Sequence, residues 1–134
     1  MPLLANDTDG AITRKRLESY VAANEGVTEV AVADEDSTLT AAQLLDSKLF
    51  TATPTAARTF TTATAALIVA ALTDEVAGTS SEFTVVNKAA ATHAITVAGG
   101  TSVTVVGSAT VAAASSGTFL AVVQSDNSVK LYRK

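Results

Sequence analysis

The side chains of this chain that could perform chemistry are few, and their spacing suits no familiar site. Among 134 residues there is one histidine, His93, and there is no cysteine. A zinc or other transition-metal site needs several His or Cys ligands, and a serine nucleophile needs a base and an elbow of the G-x-S-x-G type, which the sequence lacks. We therefore predict that the protein is not an enzyme and binds no metal ion or other cofactor, and that His93 makes a hydrogen bond at the start of a strand.

Two other features of the sequence have some of the residue types of a binding site. The consecutive carboxylates Asp34, Glu35 and Asp36 could bind Ca²⁺ weakly, but no spaced loop with a distal Glu follows them, which favours a solvated turn. The glycines fall in turns and form no G-x-G-x-x-G motif, so no nucleotide loop is predicted.

The charge of the chain is negative and unevenly distributed. The formal net charge is −4 at pH 7, and most of the 13 acidic residues precede residue 47. Binding to nucleic acid needs clustered Lys and Arg over an extended face, so no nucleic-acid partner is expected. The sequence has neither the run of about 20 apolar residues that a membrane helix needs nor an apparent secretion signal, so we expect cytoplasmic synthesis without export and no membrane contact.

Most of the chain after residue 37 has the pattern of β-strands. Stretches rich in Val, Thr, Ile and Phe alternate with period two and are separated by Gly, Ser and Asn. Phe83 and Val85 share one face of such a stretch, and Ile95 and Val97 share one face of the next. Gly99-Gly100 has the length of a tight hairpin. About eight short strands at this spacing predict a mainly β fold, an antiparallel β-sandwich or jelly-roll-like body.

Two short helices are expected within the β body. Thr40-Ala-Ala-Gln43 has the form of a capping box, in which a Thr hydroxyl and a Gln side chain satisfy each other's backbone amides. Thr62 or Thr64 could cap a second helix over residues 63–73. We expect both helices to close the ends of the sandwich.

Residues 1–37 are predicted to form an extended N-terminal arm, and residues 38–134 the β-sandwich body. Leu17, Tyr20 and Val21 follow a helical spacing that ends at Gly26, so the arm should contain one short helix that is marginal by itself. Such an arm is ordered when a partner surface holds it. The basic triplet 14–16 sits in the first turn of this helix, where the helix dipole disfavours it, which indicates either an acidic partner surface or a solvated charge cluster.

The stretch 117-GTFLAVVQ-124 is apolar on both faces. Phe119 and Val123 point one way, and Leu120 and Val122 point the other. A soluble monomer tends not to expose such a second face, so Leu120 and Val122 are predicted to lie in an interface between copies of the chain, with helix 63–73 as the alternative cover.

The segments 39–72 and 82–119 resemble the small β-sandwich proteins of tailed bacteriophages, and most closely the head decoration, or cement, proteins. The resemblance covers residues 38–134 and is carried by L-T-A-A-Q-L-L, T-P-T-A-A-R-T around Pro54, E-F-T-V-V-N and A-G-G-T-S-V-T-V-V-G. The N-terminal 37 residues show no such resemblance. It implies a jelly-roll-like body on the outside of an icosahedral shell, with no catalytic residues.

The expected function is therefore that of a structural virion protein on the capsid exterior, which stabilises capsomers after head expansion. The alternative is a tail, fibre or receptor-binding domain that recognises a host-surface glycan. The expected partners are the major capsid protein and further copies of the chain, as a homotrimer or alternatively a homodimer. Candidate capsid contacts are Leu3, Leu4, Arg14, Lys15, Arg16, Leu17, Tyr20 and Val21.

Overall fold

The computed structural model describes residues 27–72, 77–125 and 127–134. These residues form ten strands and two short helical segments. The strands are β1 (Thr28–Ala31), β2 (Ser37–Leu39), β3 (Lys48–Ala52), β4 (Arg58–Thr62), β5 (Ser80–Asn87), β6 (Ile95–Ala98), β7 (Val103–Val106), β8 (Thr110–Val111), β9 (Ser115–Ser125) and β10 (Ser128–Arg133). A π-helical turn (Gln43–Ser47) follows β2, and helix α1 (Ala65–Ala71) follows β4. Within the described ranges, neither helical segment could span a membrane.

The strands form two sheets, and the chain alternates between them. Sheet A has six strands in the order β1-β3-β5-β9-β10-β7, and sheet B has four in the order β2-β4-β6-β8. Each strand from β2 to β9 lies in the opposite sheet from the strand before it. Consequently the first six strands make three turns of a flattened coil, β1–β2, β3–β4 and β5–β6, in which each turn stacks on the previous one as in a repeat fold.

The prediction of a mainly β body with two sheets is confirmed, but the antiparallel pairing predicted for it is corrected. Parallel pairing joins β1 to β3, β3 to β5, β2 to β4, β4 to β6 and β7 to β10. Antiparallel pairing joins β5 to β9, β9 to β10 and β6 to β8. The physical reason is the alternation between sheets: strands that are neighbours in one sheet are one full turn apart in the chain, and so run in the same direction.

The predicted hairpin at Gly99-Gly100 is also corrected, because these residues carry the chain from β6 in sheet B to β7 in sheet A. The glycines are needed for close approach rather than for a positive φ. A Cβ atom on Gly100 would lie 2.6 Å from the carbonyl oxygen of Thr62. The Gly100 N–H donates to Thr62 Oγ1 at 3.0 Å, which ties this corner to the end of β4.

The core lies between the two sheets and follows the predicted strand faces. Phe83 and Val85 are buried in sheet A, and Ile95 and Val97 are buried in sheet B. Phe83 is central: its ring stacks on Phe119 with centroids 5.4 Å apart and meets Phe50 edge-on at 5.8 Å. Offset and edge-on aromatic pairs of this kind add to the stabilisation that comes from their buried area.

The capping box predicted at Thr40 is confirmed. The Gln43 N–H donates to Thr40 Oγ1 at 3.1 Å, and the Thr40 N–H donates to Gln43 Oε1 at 3.0 Å. Thr64, one of the two candidates, caps α1, because its hydroxyl accepts from the Leu67 N–H at 3.2 Å. Leu44 and Ile68 from the two helical segments both reach the core.

Part of the predicted N-terminal arm belongs to the sheets. β1 is the outermost strand of sheet A, and β2, which begins at Ser37, is the outermost strand of sheet B. The described section of the arm therefore forms the first turn of the coil. Residues 1–26, including the predicted helix, lie outside the described residues.

The acidic residues 34–36 lie between β1 and β2 in the first turn of the coil. Two of their side chains form hydrogen bonds to the second turn of the coil. Asp34 accepts hydrogen bonds from the Thr55 N–H at 3.1 Å, the Thr55 hydroxyl and Arg58 Nε at 2.8 Å. Asp36 Oδ1 accepts from the Thr59 N–H at 2.9 Å. The predicted solvated turn is thus an exposed corner whose carboxylates hold the next corner in place.

The Asp34 corner should give a pH-dependent contribution to stability. The hydrogen bonds from Arg58 and Thr55 lower the pKa of Asp34 from 3.8 to about 2. A lowered pKa in the folded state stabilises the fold above the unfolded-state value, and this contribution disappears as pH falls from 3.8 towards 2. We expect Asp34→Asn to lower the melting temperature at neutral pH, with a difference from the wild type that shrinks across this acidic range.

Thermal melts at several pH values measure that difference. Asp46→Asn is the matched control, because Asp46 is an exposed acid in the same turn of the coil and should show a smaller effect. A difference for Asp34→Asn that stays constant with pH would contradict the assignment.

Candidate functional site

Leu120 and Val122 lie on the outer face of sheet A, away from sheet B. They are in β9, where Phe119 is fully buried and Val123 is 6% exposed on the inner face. Leu120 and Val122 themselves are half-buried. The predicted division of this strand into two apolar faces is therefore confirmed.

The strand register places two further apolar side chains beside them. Leu120 is directly opposite Tyr132 of β10, and Tyr132 is opposite Val106 of β7. Val106 is 40% exposed, and Tyr132 is half-buried. We call Val106, Leu120, Val122 and Tyr132 the outer patch. It crosses three neighbouring strands, so its members are held in a fixed arrangement by the backbone ladder.

Polar groups surround the outer patch. On one side, Glu82 is opposite Leu120 and forms an ion pair with Lys134. Lys130 is opposite Val122. Further along the same face, the Thr84 and Thr118 hydroxyls are 2.9 Å apart and hydrogen-bonded. An apolar centre with a polar rim is the usual arrangement of a protein–protein contact surface.

Helix α1 does not provide the alternative cover for Leu120 and Val122. Its side chain Ile68 lines a small cavity of about 10 Å³ together with Ala121, Val123 and Val129. These strand residues alternate with the outer-patch residues and belong to the inner face. Thus α1 packs on the core side of sheet A, and the outer patch stays partly exposed.

The candidate residues of the sequence take part in hydrogen bonds of the fold, His93 through its backbone atoms. The His93 carbonyl oxygen accepts a hydrogen bond from Asn87 Nδ2 at 2.8 Å, and the His93 N–H donates to Ala91. Asp34 and Asp36 bind the neighbouring corner. Within residues 27–72, 77–125 and 127–134, no group of three or more His, Cys, Asp or Glu side chains could hold a metal ion.

Sequence reasoning identified half of the outer patch. Tyr132 and Val106 were missed as interface candidates, because the period-two pattern shows which side chains share a face within a strand but does not show which strands are neighbours. The candidate contacts in the arm, Leu3, Leu4, Arg14, Lys15, Arg16, Leu17, Tyr20 and Val21, lie outside the described residues and remain predictions.

The resemblance to phage decoration proteins depends on the motifs of this sequence alone. A comparison of the chain with protein-family models, curated proteins and solved structures finds no match.

Proposed function

We propose that this protein is a structural virion component that binds the outer surface of a tailed-phage head and stabilises neighbouring capsomers after expansion. The observation that supports the proposal best is the outer patch, a rigid apolar surface on a small body. The sequence resemblance supplies the kind of particle on which such a surface would act.

The physical requirements of this role are modest for each copy. A decoration protein is present in many copies, so a small contact in each copy is multiplied across the shell. Ligands that bind only the assembled state stabilise it by mass action. The Thr-rich outer face of sheet B, with Thr38, Thr61 and Thr96 exposed or half-buried, could add hydroxyl hydrogen bonds without desolvating charges.

The direct test is to mix the purified protein with expanded, undecorated phage heads. Saturable binding at high copy number, together with greater resistance of the heads to heat, would support the proposal. Binding to host cells or to glycans, with none to heads, would favour the receptor-binding alternative and would reject the proposal.

The basic triplet of the arm offers a second test of the same function. Replacing Arg14, Lys15 and Arg16 together by alanine should weaken head binding by about tenfold or more, because an acidic shell surface would lose its charge partners; this corresponds to about 1.4 kcal/mol. Head-binding isotherms at low and high salt measure the effect.

Lys88→Ala is the control for this experiment, since Lys88 is exposed on the body. It should leave the affinity for heads unchanged. Equal affinity of the triple variant and the wild type would show that the triplet is only a solvated charge cluster.

A further inference from the structure

Among the residues that the structure describes, the first turn of the coil leaves two strand edges open at the same end of the fold. β1 is the last strand of sheet A and β2 is the last strand of sheet B, and no described residue pairs with the outer edge of either. Unpaired strand edges present rows of N–H and C=O groups that can pair with another chain.

The direction of the free backbone groups follows from the pairing of β1. In a parallel ladder, alternate residues direct both N–H and C=O towards the same neighbouring strand. The Val32 N–H donates to the Thr51 carbonyl of β3 at 2.8 Å. Val30 is two residues from Val32 and therefore directs its backbone N–H and C=O groups towards β3 as well. The residues that alternate with them, Glu29 and Ala31, direct their N–H and C=O groups away from β3. Both residues are exposed.

A groove lies beside this edge, between the two sheets. Its volume is about 200 Å³, and Val30, Val32, Leu39 and Gln43 contribute to its lining. This volume is below the range of about 300–1,000 Å³ typical of small-molecule pockets. It suits one or two aliphatic side chains of an incoming strand, which would enter between β1 and β2.

The charge of this end restricts the partner. Residues 27–47 contain the acids Glu29, Asp34, Glu35, Asp36 and Asp46, and no Lys or Arg. Lys48 lies opposite Thr28 in the ladder and Arg58 pairs with Asp34, so the acids at this end still outnumber these two neighbouring bases. The Glu29 side chain lies on the outer face of sheet A, where its carboxylate accepts a hydrogen bond from Thr51 Oγ1 at 2.6 Å. A second copy that approached with this same end would bring like charges together.

We propose that the open end formed by β1 and β2 binds an extended segment of another protein in which basic and aliphatic side chains alternate. The segment pairs with the outward N–H and C=O groups of Glu29 and Ala31. Its aliphatic side chains enter the groove, and its basic side chains lie near the acids of the first turn. This is recognition by strand addition, in which the backbone supplies affinity and alternate side chains supply specificity. The inference does not depend on the proposed function.

The test uses the full chain and a fluorescent eight-residue peptide of alternating valine and lysine. We expect saturable binding by fluorescence anisotropy, and much weaker binding of the matched valine–glutamate peptide. Ala31→Pro removes an outward N–H without removing a bond to β3, and should weaken binding by about tenfold or more. Circular dichroism checks that this variant is folded.

Charge variants and hydrogen exchange complete the test. Glu35→Lys should weaken binding of the lysine peptide by about fivefold at low salt, whereas Glu82→Lys, with the same change of charge elsewhere on the body, should not. The peptide should also slow exchange of the Glu29 and Ala31 amides, which decides the matter if Ala31→Pro does not fold.

Three results would overturn the proposal: no saturable binding, equal binding of the valine–glutamate peptide, or binding that leaves exchange of the two amides unchanged. Slow exchange of these amides in the free protein would overturn it as well, because the chain itself would then cover the edge.

Discussion

Replacing Leu120 and Val122 together by aspartate is expected to give folded monomers in place of the homo-oligomer that we predict for the wild type. In an interface between copies, the two new carboxylates would lose water without gaining a partner, which is strongly unfavourable. In the monomer, by contrast, both positions are on the partly exposed outer face of sheet A, so the charges can stay hydrated. Light scattering measures the mass, and circular dichroism checks that the β signal is retained.

Thr38→Asp with Thr96→Asp is the matched control for this variant. Both threonines are exposed on the outer face of sheet B, and the change adds the same charge. The control should keep the mass of the wild-type assembly, for which we expect a homotrimer, with a homodimer as the alternative. A monomeric wild type, or an assembled double Leu120/Val122 variant, would reject this interface.

The faces of the strands could be predicted from the sequence because they depend on local periodicity. Alternation along one strand determines which side chains share a face, and this placed Phe83, Ile95 and Phe119 in the core and Leu120 outside. The Thr40 capping box was equally local, since both partners lie within four residues of each other.

The pairing of the strands could not be predicted from the same pattern. Gly99-Gly100 has the composition of a hairpin, but its Cβ-free backbone is used to approach Thr62 one turn earlier in the coil. One unused signal pointed to the coil: 40-TAAQLL-45 and 64-TAALIV-69 are similar segments, and each follows a strand of sheet B with a Thr cap. Such a repeat is typical of stacked turns.

The candidate surfaces were only partly predictable for the same reason. Leu120 and Val122 were visible within one strand, whereas Tyr132 and Val106 join them through the pairing of β9, β10 and β7. The groove at the open end needs β1 and β2 to be the last strands of their sheets, and this is a property of the whole winding order. No local pattern contains it.

Asn87 is the buried polar residue on which the third turn of the coil depends most. It ends β5, is 1% exposed and points between the sheets. Its Nδ2 atom donates to the His93 carbonyl oxygen at 2.8 Å and to the Val111 carbonyl oxygen of β8 at 3.0 Å. Its Oδ1 atom accepts from the Ala89 N–H at 3.0 Å. One side chain thus connects sheet A, the corner that leads to β6, and sheet B.

Asn87→Ala is expected to lower the free energy of unfolding by about 2 kcal/mol or more, because it removes the side-chain partners of the His93 carbonyl and of the Ala89 N–H, each at a cost of about 1–3 kcal/mol, and also one hydrogen bond to the Val111 carbonyl. Asn87→Asp keeps an acceptor for Ala89 but loses both donated bonds and buries a charge, so it should destabilise at least as much. Urea unfolding measures both variants against Thr96→Ala, an exposed control that should change little. A loss below about 1 kcal/mol for Asn87→Ala would show that water can replace the side chain and that the turns are held together by the apolar core alone.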